Sequence, residues 1–115
     1  MKRISVFLFI IFSSLVVFAQ KDKDIVTEQY KVEGNCGMCQ KRIEEAAFVK
    51  GVKRTEWNKE TGMLTVIYRK SKTTADEILT AVAKAGHSSE KVTATAEDYN
   101  KLPECCHYKT NTCDD

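Results

Sequence analysis

Several features that would point to common functions are missing from this 115-residue sequence. It has no phosphate-binding glycine loop, no Ser-His-Asp set and no pair of acidic residues at catalytic spacing, so we expect no enzymatic activity. No cysteine precedes Cys36, which argues against a lipid anchor on a cysteine near the N-terminus. Proline occurs once, at Pro103, and its position bears on one of the alternatives considered below.

An excess of charge of one sign is also missing. The chain has 18 basic and 16 acidic residues, but Lys2 and Arg3 belong to an N-terminal segment that carries no acidic residue. Without that segment the counts of basic and acidic residues are equal. There is therefore no basic stripe of the kind that binds nucleic acid, and we expect no nucleic-acid partner.

The first 19 residues have the pattern of a secretory signal peptide. Lys2 and Arg3 precede an almost wholly apolar run over 4–17, and Val17-Phe18-Ala19 resembles a small-residue cleavage site. The alternative is an uncleaved N-terminal anchor. Export would place the protein in the periplasm, and residues 20–25 are predicted to form a short flexible leader.

Hydrophobic periodicity predicts six elements over residues 26–96. Alternation of apolar and polar residues predicts strands at 26–34, 52–58 and 64–69, and β-branched residues suggest a fourth strand at 91–96. Three-to-four spacing predicts one helix over about 37–49 and a second that begins at the capping box Thr74–Glu77 and ends at Gly86. The predicted buried residues of the helices are Ile43, Ala46, Ala47 and Phe48 in the first, and Ile78, Ala81, Val82 and Ala85 in the second.

The resulting order, β-α-β-β-α-β, is the ferredoxin-like plan of the α+β class. It has an antiparallel sheet with both helices on one face. The prediction is thus one domain over 26–96, followed by a cysteine-rich tail over 97–115 that fits no further element.

Two cysteines lie at the junction of the first strand and the first helix, in Gly34-Asn35-Cys36-Gly37-Met38-Cys39. Cys39 falls in the first helical turn, where unpaired N–H groups stabilise a thiolate. Lys41 and Arg42 add positive charge nearby. Two thiolates on one turn suit a soft ion that accepts few ligands.

This arrangement resembles the heavy-metal-associated domain, the domain of copper chaperones, copper-pumping ATPases and the periplasmic mercury-binding protein. The residues that carry the resemblance are Gly34, Cys36-x-x-Cys39, Ile43-Glu44, Gly51-Val52 and Ala85-Gly86. The resemblance covers about 70 residues and implies a ferredoxin-like fold with Cys36 and Cys39 as the main metal ligands.

The sequence departs from the family pattern at two positions. Asn35 stands where the family usually has methionine, and His87 stands where bacterial copper chaperones often have an aromatic residue. The resemblance places the loop of His87 beside the metal, so His87 is a candidate auxiliary ligand. The departures bear on which metal is bound and leave the predicted fold unchanged.

The tail supplies four more candidate donors, namely Cys105, Cys106, His107 and Cys113. One hypothesis is that the tail folds back to complete the Cys36/Cys39 site or binds a second ion. The alternative is a structural disulfide between Cys113 and Cys105 or Cys106. The total of five cysteines is odd, so disulfides alone do not account for all of them.

A disulfide between Cys36 and Cys39 is the main alternative to metal binding, because exported proteins meet an oxidising compartment. In that case the protein would be a periplasmic thiol-disulfide oxidoreductase. Thioredoxin-like proteins, however, place a cis-proline opposite their cysteines, and Pro103 lies in the tail.

The sequence therefore predicts an exported carrier, chaperone or sequestering protein for a soft metal ion. Copper(I) is the first choice, mercury(II) or another thiophilic ion the second, and zinc with tail ligands the third, because zinc prefers four ligands. The expected partners are the metal ion and a membrane metal transporter or another metal-binding domain. The mature protein is expected to be soluble and monomeric.

Overall fold

The computed structural model of the protein describes residues 23–110. The predicted signal peptide, residues 20–22 of the leader and Cys113 lie outside the described residues. Within that range the secondary structure is β1 Ile25–Lys31, α1 Gly37–Ala47, β2 Val52–Trp57, β3 Met63–Arg69, α2 Ala75–Lys84, α3 Ala96–Asn100 and a single 3₁₀ turn at Glu104–Cys106.

The three strands form an antiparallel sheet with β3 in the centre, in the order β1-β3-β2. Val66 pairs with Glu28 of β1 on one side and with Thr55 of β2 on the other. Leu64, Val66 and Tyr68 alternate into the core, as their period of two predicts. The α+β, ferredoxin-like fold class is confirmed, with α1 packed against β2 and α2.

The fourth strand predicted at 91–96 is wrong. Residues 91–95 form no strand or bridge, and the isolated bridge between Ser89 and Val32 lies just before them. Two serine hydroxyls accept the backbone N–H groups that a strand would have directed to a neighbour: Ser89 Oγ accepts from Val92 (3.1 Å) and Ser88 Oγ from Ala94 (2.8 Å). Such side-chain bonds compete with a sheet ladder, and Ala96 then starts α3.

The predicted buried faces of both helices need correction. Phe48 is 57% exposed, because α1 ends at Ala47 and the chain turns away there. In α2 the buried residues are Ile78, Leu79, Val82 and Ala83, whereas Ala81 and Ala85 are only half-buried. The buried face of α2 is therefore rotated by one position towards Leu79 relative to the predicted face. Burying leucine removes more apolar surface from water than burying alanine.

Residues 96–110, called here the C-terminal segment, are also more ordered than predicted. Thr95 caps α3 by accepting a hydrogen bond from Asp98 N (3.1 Å), and Leu102 and Cys106 join the hydrophobic core. Leu102 packs against Gly86, whose φ of +102° and missing side chain leave the necessary room. The C-terminal segment is therefore part of the domain core, contrary to the prediction of a tail without elements. Within residues 23–110 no helix is long and apolar enough to cross a bilayer.

Candidate metal centre

The cysteine loop connects β1 to α1. Cys36 is the N-cap of α1 in an extended conformation, and its carbonyl accepts a hydrogen bond from Gln40 N (3.0 Å). Cys39 lies in the first turn of the helix, as predicted, where N–H groups without helical partners favour negative charge on sulfur. Both side chains are buried.

Trp57, at the end of β2, lies directly under this loop. A Cβ atom at Gly34 would come within 3.0 Å of the Trp57 ring and 3.1 Å of Cys39 Cβ, so only glycine fits without displacement. The Trp57 indole donates to the Val32 carbonyl (3.1 Å), and its backbone N–H donates to Glu44 Oε2 (2.9 Å). The sequence pattern gives no indication of this position beneath the cysteines.

The C-terminal segment is attached to the loop that follows α2. The Tyr108 hydroxyl donates to the Gly86 carbonyl (2.9 Å) and accepts from Ser88 N (3.2 Å). The Tyr108 ring stacks on His87 with ring centroids 5.5 Å apart. Together with the burial of Leu102, these contacts hold Cys106 against the cysteine loop.

Three sulfur atoms converge as a result. The Sγ atoms of Cys36, Cys39 and Cys106, called here the three-cysteine cluster, lie within 4.8 Å of one another, and all three residues are buried. A metal–thiolate bond of about 2.3 Å places two sulfurs roughly 4.0 Å apart in a trigonal site and about 4.6 Å apart in a linear one. The cluster thus has the spacing of a two- or three-coordinate soft-metal site.

The cysteines differ in chemical state. Cys36 is disulfide-bonded in this structure, whereas Cys39, Cys105 and Cys106 carry thiols. The Cys36–Cys39 disulfide, considered above as the alternative to metal binding, is therefore not formed here, and neither is the alternative disulfide from Cys105 or Cys106. The Cys36 sulfur becomes a metal ligand only after reduction.

The Cys106 thiol has a strongly perturbed acidity. Burial, together with hydrogen bonds to the Cys39 and Cys105 thiols, raises its pKa to about 12. Without a metal, Cys106 is therefore a protonated, poorly nucleophilic thiol at neutral pH. A bound cation would supply the positive charge that its thiolate needs.

Asn35, one of the two departures from the family pattern, contacts the cluster. The Cys39 thiol donates to Asn35 Oδ1 at 3.0 Å. The sequence flagged this position only as a substitution for methionine. The structure shows that an amide here forms a hydrogen bond to one of the candidate ligands.

The two candidate histidine ligands are not part of the cluster in this structure. His87 Nδ1 is bonded to the Glu33 carbonyl (2.9 Å), and its Nε2 atom is buried without a hydrogen-bond partner. His107 Nε2 is bonded to the Leu102 carbonyl (2.9 Å). Cys113 lies outside the described residues, so its predicted auxiliary role stays a prediction.

A second sulfur contact lies at the surface. The Cys105 thiol donates to Met38 Sδ at 3.4 Å, and Met38 is 50% exposed. Met38 therefore points out of the cysteine loop. Its pairing with Cys105 was not predicted, because the two residues are 67 positions apart in the chain.

Comparison with known proteins finds similar solved structures whose names refer to metal binding or metal transport. No protein-family profile and no curated protein sequence matches the chain. Among solved structures, a CopZ metallochaperone is 30% identical, with 56% of this chain and 98% of that chain covered and a TM-score of 0.54. A copper form of a CopA variant from Bacillus subtilis is 27% identical (56% and 88% covered, TM-score 0.50). The N-terminal domain of the zinc(II) ATPase ZiaA in its apo form is 25% identical (79% and 89% covered, TM-score 0.50).

Proposed function

Since this chain belongs to the heavy-metal-associated domain family, we propose that it captures one thiophilic metal ion through Cys36, Cys39 and Cys106. The observation that carries the proposal is the convergence of three buried sulfurs within 4.8 Å. Two of them come from the family's cysteine loop. The third comes from the C-terminal segment, which the fold holds over that loop.

The donor set supports a soft ion, and we propose copper(I) first. Three thiolates without a nitrogen or oxygen donor match the preference of copper(I) and mercury(II) for soft ligands and low coordination number. Zinc prefers a fourth ligand, and neither His87 nor His107 belongs to the cluster that the described residues form. We therefore order the ions as copper(I), then mercury(II) or another thiophilic ion, then zinc.

The proposed role is carriage or sequestration of that ion after export. The signal-peptide pattern of residues 1–19 supports a periplasmic location. A membrane metal transporter or another metal-binding domain would exchange the ion with this protein. The burial of the cluster favours tight retention between exchanges, because a buried ion is shielded from competing thiols in solution.

Copper(I) titration of the reduced protein against a chromogenic copper(I) chelator tests this proposal. The wild type is expected to bind one equivalent tightly, and Cys36→Ser and Cys39→Ser are expected to abolish tight binding. Circular dichroism of each variant controls for loss of fold. Elemental analysis of the protein isolated from its native compartment, with a count of reduced thiols, identifies the ion.

The alternative function, thiol-disulfide exchange, predicts a different result. If the reduced wild type binds no soft ion while its disulfide exchanges rapidly with small thiols, the protein is a thiol-disulfide oxidoreductase.

A further inference from the structure

The three-cysteine cluster is closed to solvent. Cys36 is 2% exposed, and Cys39 and Cys106 are fully buried. A donor molecule that delivers a soft ion cannot contact these sulfurs directly in this conformation. The ion needs either a path of donor atoms to the cluster or a movement of the C-terminal segment.

A path of donor atoms is present. The Cys106 sulfur lies within 4.8 Å of the Cys39 sulfur in the cluster, and the thiol of the preceding residue, Cys105, also interacts with it. Cys105 in turn contacts Met38 Sδ at 3.4 Å. Sulfur atoms therefore continue without interruption from the buried cluster to the surface, where Cys105 is half-buried and Met38 is half-exposed.

We infer that Met38 and Cys105, the surface sulfur pair, first bind an incoming soft ion and pass it through Cys106 to the three-cysteine cluster. This inference rests on the proposed function and names the route by which the site is loaded. Both residues offer soft donors, a thioether and a thiol, and neither is required to complete the resident site.

Before the route begins, a small thiol must reduce the disulfide of Cys36 by thiol-disulfide exchange and is itself oxidised to a disulfide. Each later step is a ligand exchange without electron transfer. The Cys105 thiol gives up its proton and, with Met38, displaces a ligand of the carrier that holds the ion. Cys106 then adds to the ion and gives up its proton, and Met38 and Cys105 leave, with Cys105 taking a proton back. Cys39 and reduced Cys36 complete the final coordination, so the ion keeps its charge and only protons return to solvent.

Opening of the C-terminal segment is the competing route. It would break the two hydrogen bonds of the Tyr108 hydroxyl and expose Leu102, which is 4% exposed. The sulfur path requires none of these losses. Exchange through the surface sulfur pair therefore proceeds with the core intact.

Stopped-flow transfer of copper(I) from a chromogenic chelator complex to the reduced protein tests the inference. Cys105→Ser and Met38→Leu are expected to slow transfer by about tenfold, which corresponds to the loss of one favourable ligand in the transition state. The equilibrium affinity of both variants for copper(I) should equal that of the wild type. Cys105→Met keeps a soft donor at this position and should retain most of the wild-type rate.

Met63→Leu is the matched control for Met38→Leu, because Met63 lies in β3 and is absent from the sulfur path. It should transfer copper(I) at the wild-type rate. Unchanged rates in both Cys105→Ser and Met38→Leu would overturn the inference in favour of segment opening. A loss of equilibrium affinity in Cys105→Ser would also overturn it, since Cys105 would then be a resident ligand. Neither result contradicts the proposed function. That function fails if the reduced wild type binds no soft ion, or if Cys36→Ser and Cys39→Ser bind copper(I) as the wild type does.

Discussion

Among single side chains, Cys106 is the one that adds a third sulfur to the two sulfurs of the cysteine loop. Removing its sulfur by Cys106→Ser should weaken copper(I) binding by about tenfold or more, since even outer partners of a metal site are worth that much. X-ray absorption of the loaded protein should show the number of sulfur ligands falling from three to two. Cys105→Ser is the matched control and should leave the sulfur number at three; an unchanged number in Cys106→Ser would remove Cys106 from the site.

His87 should make the stability of the metal-free protein depend on pH. Burial lowers the pKa of His87, and the nearby Arg42 charge lowers it further, although the hydrogen bond to the Glu33 carbonyl acts in the opposite direction. The Tyr108 ring stacks on one face of the His87 ring. Below about pH 6.5 the unfolded chain binds a proton that the folded protein excludes, so the free energy of unfolding falls as the pH falls.

The size of this effect is at most about 1.4 kcal/mol per pH unit for one proton. Urea unfolding of the reduced, metal-free protein at pH 7.5 and pH 5.5 measures it. His87→Gln should flatten the dependence, and His107→Gln should keep it. An equal decline in His87→Gln and the wild type would assign the effect to other groups.

At the level of elements, the contact of Gly86 with Leu102 fixes the C-terminal segment to the end of α2. Gly86→Ala places a Cβ atom 2.7 Å from Leu102 Cγ at a φ of +102°, and we expect a loss of about 1–3 kcal/mol of stability. Thermal unfolding checks this. Leu102→Ala removes the clash with the leucine but not the 2.9 Å approach to the Asp98 carbonyl. The double variant should therefore lose less stability than the sum of the two single variants. Additive losses would show that Gly86 does not act through Leu102.

The sequence predicts the elements whose signals are local. Alternation placed Leu64, Val66 and Tyr68 in the core, the Thr74–Glu77 capping box began α2, and the spacing of Cys36 and Cys39 located the cysteine loop. The strand at 91–96 failed because two serine hydroxyls bind its backbone N–H groups, a choice that propensity does not encode.

The sequence predicts only some of the candidate metal ligands, and here the cause is long-range packing. The cysteine-rich tail was recognised as a source of ligands, but the sequence could not choose among Cys105, Cys106, His107 and Cys113. The choice depends on Gly86, Ser88 and Tyr108, whose contacts set where the C-terminal segment lies. Such long-range packing leaves no periodic signal in a single sequence.

In the whole molecule, the thiols should differ in reactivity according to their burial. At pH 8, brief alkylation of the metal-free protein before reduction should label Cys105, which is half-buried, and spare Cys39 and Cys106, which are fully buried. Mass spectrometry of the digested protein locates the label. Urea should remove the difference; equal labelling of the three thiols under native conditions would mean that the C-terminal segment opens readily.

The position of Cys106 in the chain has a topological consequence. An ion held by Cys39 and Cys106 would be a cross-link that closes nearly the whole length of the domain into one loop. In the chain-entropy description, a covalent closure of such a loop is worth roughly 4 kcal/mol through the unfolded state. The loaded protein would then resist unfolding from either end. Proteolysis near Lys101 would open the loop and so release the bound ion, although all of its ligands would remain intact.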